Sequence, residues 1–345
     1  MRICVGGKNE IAISVCEYLA GRFPVSQLYV VPARCDGGED TFQRSLKKYA
    51  LGRGITVTTL DEVCKWEDLV FFSVEFDRIL DVRKFRSDRL FNIHLSLLPK
   101  YKGVYTSALP ILNGDSETGV TFHRIERGID TGDIIAQRTL KIEDEETCES
   151  LMSKLYRAGA ALVIENIDRV ILGKYSARRQ PLRGSSYYSK SAIDYAHLEV
   201  DLNQTADYID RQIRAYHFRA YQLPVVFGHP IMHAAFTTDK SSLPPGRIIS
   251  ESETMLRIST VDYDLLLYKD RLSELTCMAA RGDVRGLMEV PDIEYYAHEK
   301  DNVHGMTLLM AAARSGQKEA VNFLLEKGFD PEEKDYAGIS ANHYE

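Results

Sequence analysis

The chain has 345 residues, 44% of them hydrophobic, enough to bury a substantial core and to divide into two or three domains. Its formal net charge of −7, with no basic run, argues against a nucleic-acid partner, because phosphate binding needs a clustered Lys/Arg face. There is no apolar stretch of about 18 residues and no basic-then-apolar start, so neither a membrane span nor a secretory leader is expected; six scattered cysteines without a Cys-x-x-Cys pair fit a reduced, cytoplasmic protein with free thiols.

Short apolar runs at residues 2–5, 27–32, 55–58, 68–73 and 90–94 read as strands, and segments between several of them carry helical spacing, as at Ile11, Val15, Tyr18 and Leu19. That alternation predicts an α/β fold with a parallel, doubly wound, Rossmann-like sheet and helices on both faces. Ligands bind such sheets at the carboxyl ends of the strands, where Gly6-Gly7, Ser73-Val74-Glu75 and His94 all fall. Gly6-Gly7-Lys8-Asn9 lacks the Gly-x-Gly-x-x-Gly spacing, which rejects a nicotinamide or flavin dinucleotide. Two readings of this run stay open: Lys8 and Asn9 meet an anionic group of a substrate at a helix N-terminus, or the run is a tight strand-to-helix turn.

The run Leu90-Phe91-Asn92-Ile93-His94 alternates like a strand, so Asn92 and His94, two apart, share one face. Pro99 and Gly103 break regular structure directly afterwards, as where a strand empties into a functional loop. Downstream, Asp130 sits in a Gly-rich turn between strand-like runs at residues 120–125 and 133–139. If that turn folds back on the first strand's end, an amide, an imidazole and a carboxylate meet. Such a trio suits acyl transfer to an amine. The imidazole takes or relays the amine's proton, the Asn92 NH2 donates to the oxyanion, and Asp130 orients the ring and stabilises its charged form. No Ser or Cys nucleophile is needed when the donor is already activated.

Asn92-Ile93-His94-Leu95-Ser96-Leu97-Leu98-Pro99 with the downstream Asp130-Thr131-Gly132-Asp133 resembles the formyltransferases that use N10-formyltetrahydrofolate, whose pattern is Asn-x-His-Pro-Ser-Leu-Leu-Pro followed by an Asp-x-Gly turn. Leu95 stands where Pro is usual; all three catalytic side chains are retained. Either motif alone is an ordinary strand or a common turn, but the two at this separation are specific. The likeness covers roughly residues 1–175, the expected catalytic domain. It implies N10-formyltetrahydrofolate as formyl donor and no metal. It further implies folate contacts from Ser73, Glu75, Arg78, Ile79, Gly128 and Asp130, with backbone around residues 71–80 holding the pterin, and substrate contacts from Lys8, Asn9 and Lys100. Arg78 has the plainer alternative of a solvated surface arginine.

Leu151, Leu155, Ala158 and Leu162 predict a long helix over 147–172 whose stripe is core. Residues 176–270 are expected to carry a linker, a helix over 201–217 and a small antiparallel sheet that complete a nucleotide-sugar site. Within them, residues 214–224 are dense in Arg and aromatics, which suit a pyrophosphate and a base. This resembles the segment in which sugar N-formyltransferases hold a thymidine nucleotide, and so assigns Arg214, Tyr216, Phe218 and Tyr221 to the substrate; packing plus solvated arginines is the alternative. His229 and His233 share no helix face, so a metal site is not expected.

Ala279-Ala280-Arg281 recurs as Ala312-Ala313-Arg314, and Gly305 as Gly338, each offset by 33 residues. That period makes residues 271–345 resemble ankyrin repeats. About two copies cannot bury a solenoid core by themselves, so the module is expected to pack against the rest of the chain. It holds eight Lys/Arg against fourteen Asp/Glu, a net −6, which disfavours tRNA there. Ankyrin-bearing members of the resembled family act on thymidine diphosphate sugars with a 3-amino group. The resemblance thus implies a homodimer that formylates a dTDP-3-amino-3,6-dideoxyglucose or -galactose for O-antigen or capsule assembly. A 4-amino sugar nucleotide, methionyl-tRNA, or a non-catalytic ankyrin-mediated binding protein stay open as alternatives, and the repeats could take a protein or a second nucleotide sugar.

Overall fold

The computed structural model describes residues 1–344, which divide into two units, Met1–Tyr195 and Ala196–Glu345. The first is built in the order β1 (Arg2–Gly7), α1 (Asn9–Ala20), β2 (Leu28–Pro32), α2 (Leu46–Gly52), β3 (Thr56–Val57), α3 (Leu60–Val63), β4 (Leu69–Val74) and β5 (Leu90–His94). There follow β6 (Lys102–Gly103), α4 (Ala108–Leu112), β7 (Glu117–Arg124), β8 (Ile134–Lys141), α5 (Cys148–Ile171) and β9 (Tyr187–Tyr188). The main sheet has the order β3-β2-β1-β4-β5-β7-β8. Its first five strands are parallel, and the chain reverses direction of travel across the sheet between β1 and β4. That reversal is the topological switch point, where ligands seat outside the strand ends.

The wholly parallel sheet expected from the sequence is corrected at one edge, where β7 and β8 run antiparallel. Only nine residues separate them, 125–133, too few for the crossover that a parallel pair requires. β4 is buried at every position and reads as a continuous apolar run, Leu69-Val70-Phe71-Phe72-Ser73-Val74, as a central parallel strand must. α5 lies against the sheet with Leu151, Leu155, Val163 and Ile167 fully buried, and starts on a capping box in which Thr147 and Ser150 bond reciprocally. Its Gly159 admits Ile11 and Ile93, since a Cβ there would stand 2.9 Å from the Ile11 side chain.

The second unit contains α6 (Ala206–Tyr216), then β10 (Val225–Val226), β11 (His229–Phe236), β12 (Ile248–Glu251), β13 (Met255–Ile258) and β14 (Leu265–Lys269) in a sheet of order β10-β11-β14-β13-β12. Ile209 and Ile213 of α6 close one face of it with Ile231, Leu256 and Leu267. Two helix pairs follow: α7 (Leu272–Arg281) with α8 (Val284–Met288), and α9 (Leu308–Arg314) with α10 (Lys318–Glu326). Their shared core, built on Leu275, Leu287, Leu308, Ala312 and Leu324, also takes in Met232 of β11. The repeats thus lean on the small sheet, as two copies without solenoid neighbours must. All six cysteines are free thiols, and no described helix is long and apolar enough to cross a membrane.

Candidate active site

Asn92 and His94 leave β5 beside each other, and the turn between β7 and β8 returns Asp130 to them. His94 Nδ1 lies 3.5 Å from Asp130 Oδ2, and Asn92 Nδ2 donates to Asp130 Oδ1 at 3.4 Å. The expected trio is assembled and nearly dry: His94 is 7% exposed.

The surrounding bonds settle tautomers. His94 Nε2–H donates to the carbonyl of Tyr101 at 2.7 Å, so Nδ1 carries the lone pair and faces the carboxylate. A proton arriving at Nδ1 meets a negative charge already in place. Asp130 is held in turn by the Gly103 N–H, 2.9 Å from Oδ2. Its own backbone adopts the left-handed region at φ 51°, tolerated by Asp because its short side chain bonds locally. The turn also needs Gly132, whose hypothetical Cβ would fall 1.8 Å from the Arg124 carbonyl oxygen.

Two residues bonded to the trio escape sequence reasoning. His123 stands directly across from Asn92 in the β5–β7 pair. Its Nδ1–H donates to the Arg124 carbonyl at 2.7 Å, leaving Nε2 to accept from Asn92 Nδ2 at 3.1 Å. Burial pushes its pKa down to about 4, against the pull of Asp130 3.7 Å away, so it stays neutral and acts as a fixed acceptor that aims the Asn92 amide. The signal was cross-strand register, which spacing alone does not reveal. The second is Gln180, whose Nε2 donates to the carbonyls of Asp130 and Gly132, both at 2.8 Å, clamping the turn from the segment after α5. The loop after β5 is clamped as well: Thr121 Oγ1 donates to the Ser96 carbonyl and accepts from Leu98 N–H, and Ser96 Oγ donates to the Lys100 carbonyl.

The remaining expected residues fall in several places. Ser73 is buried on β4 in register with Asn92, while Arg78 lies over the Phe76 ring and Ile79 projects into solvent, 83% exposed. Gly128 packs on the Thr131 side chain. Lys100 pairs with Asp115 at 3.6 Å. Lys8 precedes α1 without capping it, and Asn9 is buried with its amide donating to Tyr156. In the second unit Arg214 Nε donates to Asp210 at 2.8 Å, Tyr216 is half-buried, and Phe218 tilts against an exposed Tyr221 with ring centroids 4.8 Å apart.

A cavity of about 490 Å³ is lined by Val82, Phe85, Leu90 and Ile125, by Arg86, Arg124 and Arg127, and by Ser87, Asp88 and Glu126. Leu90 precedes Asn92 by two on β5 and Arg124 follows His123, so the cavity adjoins the strands that carry the trio. Apolar walls with arginines suit a flat heterocycle bearing carboxylates, and the volume lies within the ~300–1,000 Å³ of small-molecule sites. Ser73, Glu75, Arg78 and Ile79 are outside its lining.

Residues 70–167 match the model of the family described as formyl transferase, and residues 304–336 that of the ankyrin repeat. The chain is 33% identical over 264 residues to the methionyl-tRNA formyltransferase of Chromobacterium violaceum, covering 72% of this chain and 85% of that protein. It is similar to the crystal structure of an N-formyltransferase from Helicobacter canadensis in complex with folinic acid and dTDP-3-aminofucose, with 39% identity, a TM-score of 0.73, and coverage of 78% of this chain and all 100% of that one. WlaRD, a sugar 3N-formyl transferase solved in the presence of dTDP and 5-N-formyl-THF, matches with 39% identity and a TM-score of 0.72 over 78% of this chain and 97% of its own.

Proposed function

The chain belongs to the formyl transferase family and is an N-formyltransferase with formyltetrahydrofolate as donor, and from that premise we propose that its acceptor is the amino group of a dTDP-linked 3-amino-3,6-dideoxyhexose. The observation that carries the catalytic part is the placement of Asp130 3.5 Å from His94 and 3.4 Å from Asn92. Formyltetrahydrofolate supplies an activated carbonyl, so the chain needs no nucleophile of its own. His94 Nδ1 takes the proton that the attacking amine sheds and returns it to N10 of the donor as the formyl carbon–N10 bond breaks and tetrahydrofolate leaves, while the Asp130 carboxylate balances the charge the ring gains in between. The Asn92 NH2 keeps one N–H on His123, and the other, only 3.4 Å from Asp130 in the resting site, turns to donate to the oxygen on which negative charge gathers. Folate is assigned to the cavity beside Leu90 and Arg124.

The sugar acceptor is favoured because the two solved structures 39% identical to this chain were obtained with a dTDP-amino sugar and with dTDP, and because the tail is acidic where a polyanion would be repelled. For the nucleotide, the Phe218–Tyr221 ring pair offers a face for the base and Arg214 a guanidinium for phosphate. Methionyl-tRNA is the second reading, favoured by the curated relatives. The test incubates the full chain with N10-formyltetrahydrofolate and, in parallel, dTDP-3-amino-3,6-dideoxyglucose, its galacto epimer, a 4-amino counterpart and methionyl-tRNA, following free tetrahydrofolate. Turnover with a 3-amino sugar alone is expected. Turnover only with methionyl-tRNA would replace the sugar reading.

A further inference from the structure

Across the switch point, Gly7 of β1 is in register with Val74 of β4, and Val74 with Ile93 of β5. The residue that follows each of these positions is Lys8, Glu75 and His94, which puts the three at the mouth of the sheet on adjacent chain segments ~4.8 Å apart. Glu75 and Asn9 are both non-glycine residues in the left-handed region, at φ 54° and 66°. They are tied together by one hydroxyl: Asn9 Nδ2 donates to Tyr156 Oη at 2.8 Å, and Tyr156 Oη donates to Glu75 Oε2 at 3.2 Å. Strain of about 1 kcal/mol or more at each position persists only where surroundings impose it, and it concentrates at ligand clamps. Tyr156 reaches the pair from α5, so three elements cooperate to hold one carboxylate.

What the carboxylate is held for follows from acceptor supply. Sugar hydroxyls are donors and require acceptors. Asp130 already accepts on both oxygens, from Asn92 on Oδ1 and from the Gly103 N–H on Oδ2. Glu75 is half-buried, and its Oε1 has no partner among the described residues. Resting on the amino-sugar reading above, we propose that Glu75 is the residue that reads the acceptor sugar, with Oε1 accepting from the hydroxyl next to the reacting amine while Tyr156 and Asn9 position the carboxylate. A hydroxyl is the better partner than the amine itself, because a carboxylate gripping the amine would retain it as ammonium and remove the lone pair that must attack. A charge-assisted bond to a neighbouring hydroxyl orients the ring without that penalty.

The experiment compares the dTDP-3-amino-3,6-dideoxy sugar with its counterparts lacking the hydroxyl at C2 or at C4, in wild type, Glu75→Ala, Glu75→Gln and Tyr156→Phe. In wild type, removing one of the two hydroxyls is expected to lower kcat/KM by about 10- to 100-fold. Glu75→Ala should lower it by the same factor on the parent sugar yet lose nothing further on that deoxy counterpart, with KM for the formyl donor unchanged. Glu75→Gln, which keeps the carbonyl acceptor, should restore part of the discrimination, and Tyr156→Phe should weaken it, covering the case in which the alanine variant folds poorly. Equal loss on parent and both deoxy sugars in Glu75→Ala overturns the proposal alone. Absence of wild-type turnover on every amino sugar overturns the underlying reading and the proposal together.

Discussion

Single side chains at the site act in unequal ways. His94→Ala removes the proposed proton acceptor and is expected to lower kcat by about 10²–10⁴-fold. Asp130→Asn keeps the Gly103 contact but loses the charge opposite Nδ1, and should fall in the same range; tetrahydrofolate release measures both. His123 tests differently, through pH. Its pKa lies near 4 in the folded chain against an ordinary 6.5, so the unfolded chain binds the extra proton first. The stability this neutral ring confers is therefore complete above about 6.5 and is lost as pH falls towards 4. Thermal midpoints measured across that window should decline more steeply in wild type than in His123→Asn, and the variant should also lose kcat because Asn92 is no longer aimed. The meeting of Asn92, His94 and Asp130 was legible because two motifs at a set separation announce it. His123 was not, because its partner lies 31 positions away in sequence and opposite only once strands pair.

At the level of elements, the catalytic geometry is a property of two clamped turns. The β7–β8 turn approaches its own backbone so closely at Gly132 that a methyl group there would meet a carbonyl oxygen at 1.8 Å. Gly132→Ala is expected to destabilise the chain by about 2 kcal/mol or more, read from the denaturant midpoint, and to abolish turnover with it. Gln180→Ala separates the two effects. It frees the turn from the linker without a clash, so kcat should drop while the midpoint moves by only about 1 kcal/mol. The parallel strands were readable from their apolar runs, and the capped α5 from its stripe. The antiparallel edge was not, since alternation tells a strand's faces and not its direction. The Arg-rich segment also divides once folded: Arg219, which spacing groups with the aromatics, is buried and bonded to Asp270 and Glu299.

For the molecule as a whole, the question is why the repeats exist on an enzyme whose chemistry lies elsewhere in the chain. Within the second unit they are bound to the small sheet by charge as well as by Met232. Arg219 donates bidentately to Asp270 at 2.8 and 2.9 Å and also bonds Glu299, which takes His217 Nε2 at 2.9 Å. Burial alone would raise the Glu299 pKa; His217 and Arg219 outweigh it and hold it down to about 2. A carboxyl so depressed stabilises fully above about 4.5 and loses that contribution as pH falls to about 2. Removing one member strands the others, a loss of about 3–5 kcal/mol for a broken buried pair. Arg219→Met is therefore expected to unfold the second unit at markedly lower denaturant, and Glu299→Gln to flatten the acid limb of the stability curve. Truncation at Asp270 should be worse than either. It takes Glu299 away from His217 and Arg219, and it uncovers Met232 and the apolar floor beneath α7. A truncated chain that kept the wild-type midpoint would show instead that the sheet and α6 form a self-sufficient core and that the repeats are an appendage.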